Sequence, residues 1–287
     1  MRAVRVLVTG SSGFIGRATC RWLGRHGHTV LRAQRTPAPG ALALDLEHPD
    51  SALFDARPDV ILHLAWGHAD NQHRDDPYHF AVNLRFSEWL AEEAAARGVP
   101  LIGVGSQAEY GPAGVVLTPQ TPCHPITAYG AAKLRAGERF AERGAWIRVL
   151  TAYGPGDDPR KLLPYLAATF RRGERAVTSP GAQRWDWLHV EDAAAALGRA
   201  VETRLTGLHV LAAEELCSIA DLTRALWSEA RRRGFAPPEP EIGGRPYNPN
   251  ELFLLAGDST SFRSATGWAP TVPLAAGLST LFDEEPG

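Results

Sequence analysis

The chain has 287 residues, 44 % of them hydrophobic and 22 % charged, with a formal charge of −2 at pH 7. These are the proportions of an ordinary globular protein, long enough for one large domain or two closely joined ones around a buried core. The near-neutral balance speaks against a nucleic-acid footprint and against an acidic membrane surface as partner.

The chain opens on residues 1–9, where charges interleave with apolar residues ahead of a glycine turn. That is a strand rather than a signal peptide, which needs a longer apolar core and a cleavage site. Apolar runs at residues 4–8, 29–33, 41–44, 60–64, 101–104 and 145–150 alternate with helical patterns near 13–26, 51–56, 78–97 and 128–143. Unbroken apolar strands separated by helices predict the α/β class, with a parallel sheet covered on both faces. After about residue 162 the rhythm loosens into helices near 164–172, 190–202 and 218–232, a short strand at 208–211 and a proline- and glycine-rich surface loop at 237–250. No stretch reaches the length of a membrane span. Cys20, Cys123 and Cys217 lie too far apart for a metal spacing or a disulfide framework, which points to buried thiols in a reducing compartment. The expectation is a soluble cytoplasmic protein without a metal centre.

Thr9-Gly10-Ser11-Ser12-Gly13-Phe14-Ile15-Gly16 stands directly between the first strand and the first helix. Gly10 permits the tight turn, Gly13 lets the backbone approach a pyrophosphate and Gly16 lets the helix pack on the strand, while the helix N-terminus presents amides to the anion. Gly10, Ser12, Gly13, Phe14, Ile15 and Gly16 are thus candidate contacts to a dinucleotide. At the end of the second strand an acid commonly holds the ribose 2′-hydroxyl. Here Gln34 stands in its place and Arg35 follows. A guanidinium can grip a 2′-phosphate, so NADP is favoured over NAD, against the alternative that Arg35 is a solvated loop residue. Asp45 and Leu46, after the third strand, are placed to meet the adenine.

Tyr129 and Lys133 are four residues apart on the expected helix and share a face. An ammonium beside a phenol stabilises the phenolate and draws its pKa down from about 10, which suits proton exchange with an alcohol or carbonyl oxygen. Ser106, at the end of the strand 101–104, comes to the same sheet edge and can hold that oxygen.

Taken in order, TGSSGFIG (9–16), HLAW (63–66), Asn83, GSQAEYG (105–111), YGAAK (129–133), TAYGPG (151–156), RKLLP (160–164), WDWLHVED (185–192) and TGWAP (266–270) run along nearly the whole chain. The chain resembles the extended short-chain dehydrogenase/reductases of the NAD-dependent epimerase/dehydratase family, most of which act on nucleotide-diphosphate sugars. The resemblance implies a Rossmann-type doubly wound parallel sheet over residues 1–163, with returns near 186–212. It implies a smaller α+β part, mainly substrate-binding, over 164–287. It makes Ser106 the hydroxyl partner, Tyr129 the acid/base and Lys133 the residue that tunes it and holds the nicotinamide ribose. Leu64, Ala65, Trp66 and Asn83 join the cofactor contacts, and Leu163 the substrate contacts. A homodimer through helices of the sheet half is an expectation of the resemblance alone.

The departures carry information. Family dehydratases follow the Ser/Thr with Asp-Glu, whereas here Gln107 and Ala108 cannot transfer the protons that loss of water requires. Glu109 comes one place late and reads as a turn acid. Thr151 stands where many relatives have an asparagine, and Trp185 where they have an arginine, with Arg184 one residue earlier. Arg245 is a candidate replacement for the diphosphate contact, a surface arginine beside proline being the alternative. Trp66 and His68 are placed to shape the sugar pocket, and Trp185 and Trp187 to stack on a base or sugar rather than only to pack. The leading expectation is an NADPH-dependent reductase of a nucleotide-activated 4-keto-deoxysugar. A sugar 4-epimerase with tightly held NAD is the nearest rival, and a non-catalytic NAD(P)-binding sensor or scaffold a more distant one.

Overall fold

The computed structural model describes residues 3–249 and 251–283. Met1 and Arg2 of the opening segment, Asn250 of the expected loop and residues 284–287 of the expected substrate-binding part lie outside the described residues. A parallel sheet of seven strands organises the chain, in the spatial order Gly207–Leu211, Ala145–Val149, Leu101–Ser106, Val60–His63, Arg5–Thr9, Thr29–Gln34 and Ala41–Ala43. The order reverses between Arg5–Thr9 and Val60–His63, which opens a crevice at the carboxyl ends of these two strands. Helices α1 (Phe14–Arg25), α2 (Arg85–Ala96) and α3 (Ala128–Ala141) lie between successive strands, and α4 (Leu162–Arg171), α5 (Val190–Thr203) and α6 (Ile219–Arg232) follow.

The alternation of side chains along each strand divides the core in two. Val6, Val8, Leu62 and Ile147 face the cluster that includes Leu23 of α1 and Leu197 of α5. Leu7, Ile61 and Trp146 face Leu90 of α2 and Phe140 of α3. A Cβ on Gly198 would collide with the Trp22 indole, so this glycine brings α5 against α1. The C-terminal motif is pinned to α5 by Asp192, whose carboxylate accepts from the amides of Thr271 and Val272 at 2.9 Å each, while Trp268 donates to the Asp192 carbonyl at 3.1 Å.

The smaller part is built on a second sheet in the order Leu216–Ser218, Arg184–Asp186, Leu254–Gly257 and Val116–Leu117. Its last strand comes from the first half of the chain, before α3. Leu163, Leu166 and Phe170 of α4 pack against Leu222 and Leu226 of α6 beneath it. Gly207–Leu211 returns to the main sheet beside Ala145–Val149.

Three local expectations change. The helical pattern near 51–56 is only a 3₁₀ turn, Ser51–Phe54, capped by Asp50 at the Ala52 amide (2.9 Å) and ended by Arg57 at φ 48°. The helix expected over 78–97 begins as a π-helical stretch, His79–Leu84, before α2. The loop near 237–250 contains a strand, Glu241–Ile242, paired with Val177–Thr178. Among the described residues, no helix is long and apolar enough to cross a membrane.

Candidate active site

The crevice widens into a cleft of about 1060 Å³. One end is the glycine turn. Gly10 has φ +70°, and a Cβ there would lie 2.7 Å from the Ala65 amide nitrogen; a Cβ on Gly16 would collide with the Gly10 carbonyl oxygen. Gly13 begins α1 without any side-chain cap, so the first amides of the helix face the cleft with no side chain occupying them. Arg17 ties the turn to the loop at Gly156, donating to the carbonyls of Ser12 (3.0 Å) and Gly156 (2.9 Å). A cradle that tolerates no side chain, with an uncapped helix N-terminus, fits a dinucleotide pyrophosphate.

Deeper in the cleft, the ends of Leu101–Ser106 and α3 bring together Ser106, Tyr129 and Lys133. Ser106 caps the turn Gln107–Glu109: its Oγ accepts from the Ala108 amide at 3.2 Å, and its hydroxyl also hydrogen-bonds the Tyr129 phenol. Glu109 is more than a turn acid. It is fully buried, accepts from the Ser106 amide (2.7 Å) and Trp146 Nε1 (3.1 Å), and pairs with Arg148 Nε at 2.6 Å. Burial pushes the Glu109 carboxyl up, and Arg148 with these hydrogen bonds opposes that push. No carboxylate therefore enters the cleft from this turn.

Lys133 Nζ donates to the Val104 carbonyl at 2.7 Å and lies 3.9 Å from the centroid of the Trp66 ring. Burial lowers its pKa to about 7, the Glu109 charge resisting and the Arg74 charge adding. Lys133, expected to draw the Tyr129 phenol down, turns its ammonium to the Val104 carbonyl and the Trp66 ring instead. Burial pushes the phenol up, and the cation that opposes the push is Arg74, whose guanidinium carbon lies 4.1 Å from the ring centroid. Arg74 carries no motif signal, and it reaches Tyr129 only because its loop folds over α3.

Several expected contacts do line the cleft: Phe14, Ile15 and Leu64 at the cofactor end, and Gln107, Thr151 and Leu163 further on. Trp185, Trp187 and Arg245 form part of the opposite wall. Trp185 is anchored by donating to the Leu252 carbonyl at 2.7 Å. Trp66 also lines the cleft and donates to His79 Nδ1 at 3.2 Å.

Others are held elsewhere. Asn83 is buried, and its amide group is taken by the Gly67 backbone, accepting at 2.8 Å and donating at 2.9 Å; it shapes the loop after Val60–His63 rather than facing the cleft. His68, at φ 55°, turns outward to Asp76 (2.8 Å) and stacks on Tyr78, so it does not line the sugar pocket. Arg184 alternates with the cleft-lining Gln183 and Trp185 and is exposed. Asp45 closes its own turn, accepting from the Glu47 amide (2.8 Å) and His48 Nδ1 (3.0 Å). Gln34 accepts from Ser11 Oγ (3.1 Å), Arg35 is exposed, Leu46 is half-buried, and the Ala65 amide donates to Thr9 Oγ1 (3.3 Å).

A model of the NAD dependent epimerase/dehydratase family matches residues 6–211. The chain belongs to this family. Members of this NAD(P)-dependent epimerase/dehydratase family are of oxidoreductase and epimerase type. dTDP-6-deoxy-L-talose 4-dehydrogenase (NAD(P)(+)) of Kitasatospora kifunensis is 33 % identical over 188 residues, which span 57 % of this chain and 57 % of that protein. The 3-diazoavenalumate denitrifying reductase of a Streptomyces species is 31 % identical over 307 aligned residues, 94 % of this chain and 97 % of that protein. UDP-glucose 4-epimerase of Thermotoga maritima, solved with UDP-glucose, shares the fold with a TM-score of 0.84 at 24 % identity, over 96 % of this chain and 97 % of that one.

Proposed function

We propose that the protein is an NAD(P)H-dependent reductase of a nucleotide-diphosphate-activated 4-keto-deoxysugar. The observation that carries this reading is that Ser106, Tyr129 and Lys133 meet in one cleft while the only acid of the adjoining turn, Glu109, is buried against Arg148; Tyr129, a neutral phenol, is placed to give its proton to a reduced carbonyl oxygen. A nicotinamide, when bound, supplies the hydride. The uncapped start of α1 and the glycine cradle would hold its pyrophosphate, and Lys133 its ribose. Ser106 would donate its hydroxyl hydrogen to the substrate oxygen and orient it toward Tyr129. Gln107 and Ala108 offer no acid/base pair, and Glu109 is sealed behind the strand end, so this turn supplies no proton carrier for loss of water. On the far wall, Trp185 and Trp187 offer flat apolar faces for a base or sugar. Arg245, whose guanidinium makes no hydrogen bond or ion pair with the described residues, is available to a diphosphate. The missing acid after the second strand favours NADP.

Purified protein is mixed with NADPH and nucleotide 4-keto-sugars, and loss of nicotinamide absorbance is followed. Net oxidation of NADPH supports the reading. NAD retained stoichiometrically through purification, with no net oxidation, refutes it in favour of a 4-epimerase. Tyr129→Phe is expected to lower turnover by about 10²-fold or more while cofactor affinity is kept; unchanged function in that variant would point to a binding protein.

A further inference from the structure

The first turn of α3 has amides that no helix bond can satisfy. Thr127 Oγ1 takes that of Gly130 (3.1 Å), Asp75 Oδ1 takes that of Ala128 (3.0 Å), and the Arg74 carbonyl takes that of Tyr129 itself (2.8 Å). Residues 74 and 75 are thereby docked on the helix end. The Arg74 side chain follows its backbone, and its guanidinium carbon lies over the Tyr129 ring, 4.1 Å from the centroid. Lys133 is committed elsewhere, to the Val104 carbonyl and to the faces of Trp66 and Trp146 at 3.9 and 5.4 Å.

The remaining polar groups around Tyr129 are few. Ser106 faces it from the strand end. Glu109 acts from behind that strand, already paired with Arg148. His79 comes from the π-helical stretch with its ring 5.3 Å away, and burial holds its pKa below the ordinary value, so it carries no lasting charge. Trp66 packs edge-on at 6.0 Å.

We propose that Arg74 is the positioning residue of Tyr129, holding the ring from the loop side and stabilising the phenolate left when the proton departs. This rests on Tyr129 being the proton donor. In that step the Tyr129 O–H bond breaks and the proton passes to the substrate oxygen; the phenolate remains until a solvent proton restores it. Arg74 is suited to the task because a guanidinium stays charged at every working pH and stacks on an aromatic face, whereas a buried amine loses its charge. The Arg74 charge is also the largest influence opposing the upward push of burial on the phenol, ahead of the Ser106 hydrogen bond.

The test titrates the phenol directly. Full-length protein carries 3,5-difluorotyrosine at all 6 tyrosines, which brings phenol ionisation into a range where the fold is intact, and Tyr129→Phe assigns the fluorine signal. Arg74→Gln is expected to raise the Tyr129 pKa by about one unit or more, and Arg74→Lys, which keeps the charge but not the stacked plane, to raise it by less. Lys133→Met is expected to move it less than Arg74→Gln does. A Tyr129 titration unmoved by Arg74→Gln, or raised equally by both Arg74 variants, overturns the proposal. If Arg74→Gln lacks the native circular-dichroism spectrum, Arg74→Met takes its place: a rise of about one unit or more supports the proposal, and an unmoved titration overturns it. Turnover plays no part in this titration, so a wrong substrate assignment leaves its outcome standing.

Discussion

Replacing Glu109 by leucine takes away the acceptor of three donors that have no water to turn to. The Ser106 amide at 2.7 Å, the Trp146 indole at 3.1 Å and Arg148 Nε at 2.6 Å all converge on one fully buried carboxylate. Arg148 is itself 4 % exposed, and its Nη1 already has no hydrogen-bond partner among the described residues, so the guanidinium left behind would be a buried charge without a counter-ion. Breaking a buried pair from one side costs about 3–5 kcal/mol, most of it the penalty of the stranded charge. Glu109→Leu is therefore expected to lower unfolding free energy by about 4 kcal/mol in urea titrations, with the denaturant slope unchanged. Arg148→Met should cost a comparable amount. The double variant should cost at least about 2 kcal/mol less than the sum, because it removes both charges together. A single-variant loss below about 1 kcal/mol, or strict additivity in the double variant, refutes the view that this pair is a desolvated unit. The niche around it is fitted closely: a Cβ on Gly105 would collide with the Glu109 carboxylate, and one on Gly137 would lie 2.6 Å from Trp146 Nε1.

Gly16→Ala places its new Cβ against the Gly10 carbonyl and 3.1 Å from Ser11 Cα, so α1 must move off the first strand; NADPH affinity in equilibrium titration should fall by about tenfold or more. Affinity unchanged by that methyl would show that the turn does not cradle the cofactor. Lys133 has a folded pKa of about 7 against an ordinary value of about 10.4, so between these limits the unfolded chain binds the extra proton and stability rises with pH. Comparing wild type with Lys133→Met in urea, the wild type should gain about 2 kcal/mol relative to the variant from pH 7 to 9; parallel curves would show that the amine is not depressed. Arg35→Ala should weaken NADPH binding by about tenfold and leave NADH unchanged, and equal loss for both cofactors would show that Arg35 does not read the 2′-phosphate.

Much of the fold is legible in the chain because its signals are local. Unbroken apolar runs such as those around Val60–His63 belong to strands buried on both faces, and each helix from α1 to α6 stands close to its expected place. What escaped was short or dependent on distant partners. Val116–Leu117 is two residues long and becomes a strand only by pairing beside Leu254–Gly257. The helices Thr260–Thr266 and Leu274–Thr280 are too brief to show a period. The π-helical turn at His79–Leu84 has no pattern of its own, and its role in holding the loop at Gly67 appears only through Asn83.

The sequence by itself determined the strand–turn–helix that bears Gly10, Gly13 and Gly16, the shared helix face of Tyr129 and Lys133, and the absence of carboxylates at positions 107 and 108. Those properties depend on residue type and on spacing within a turn or two. Only the tertiary structure decided that Arg74, rather than Lys133, lies on the Tyr129 ring, and that Glu109 turns inward to Arg148 while His68 and Arg184 turn outward. These outcomes follow from which backbone amides at a helix start need acceptors and which charges can be buried together, and both are settled by residues far apart in the chain that meet only when the sheet is assembled.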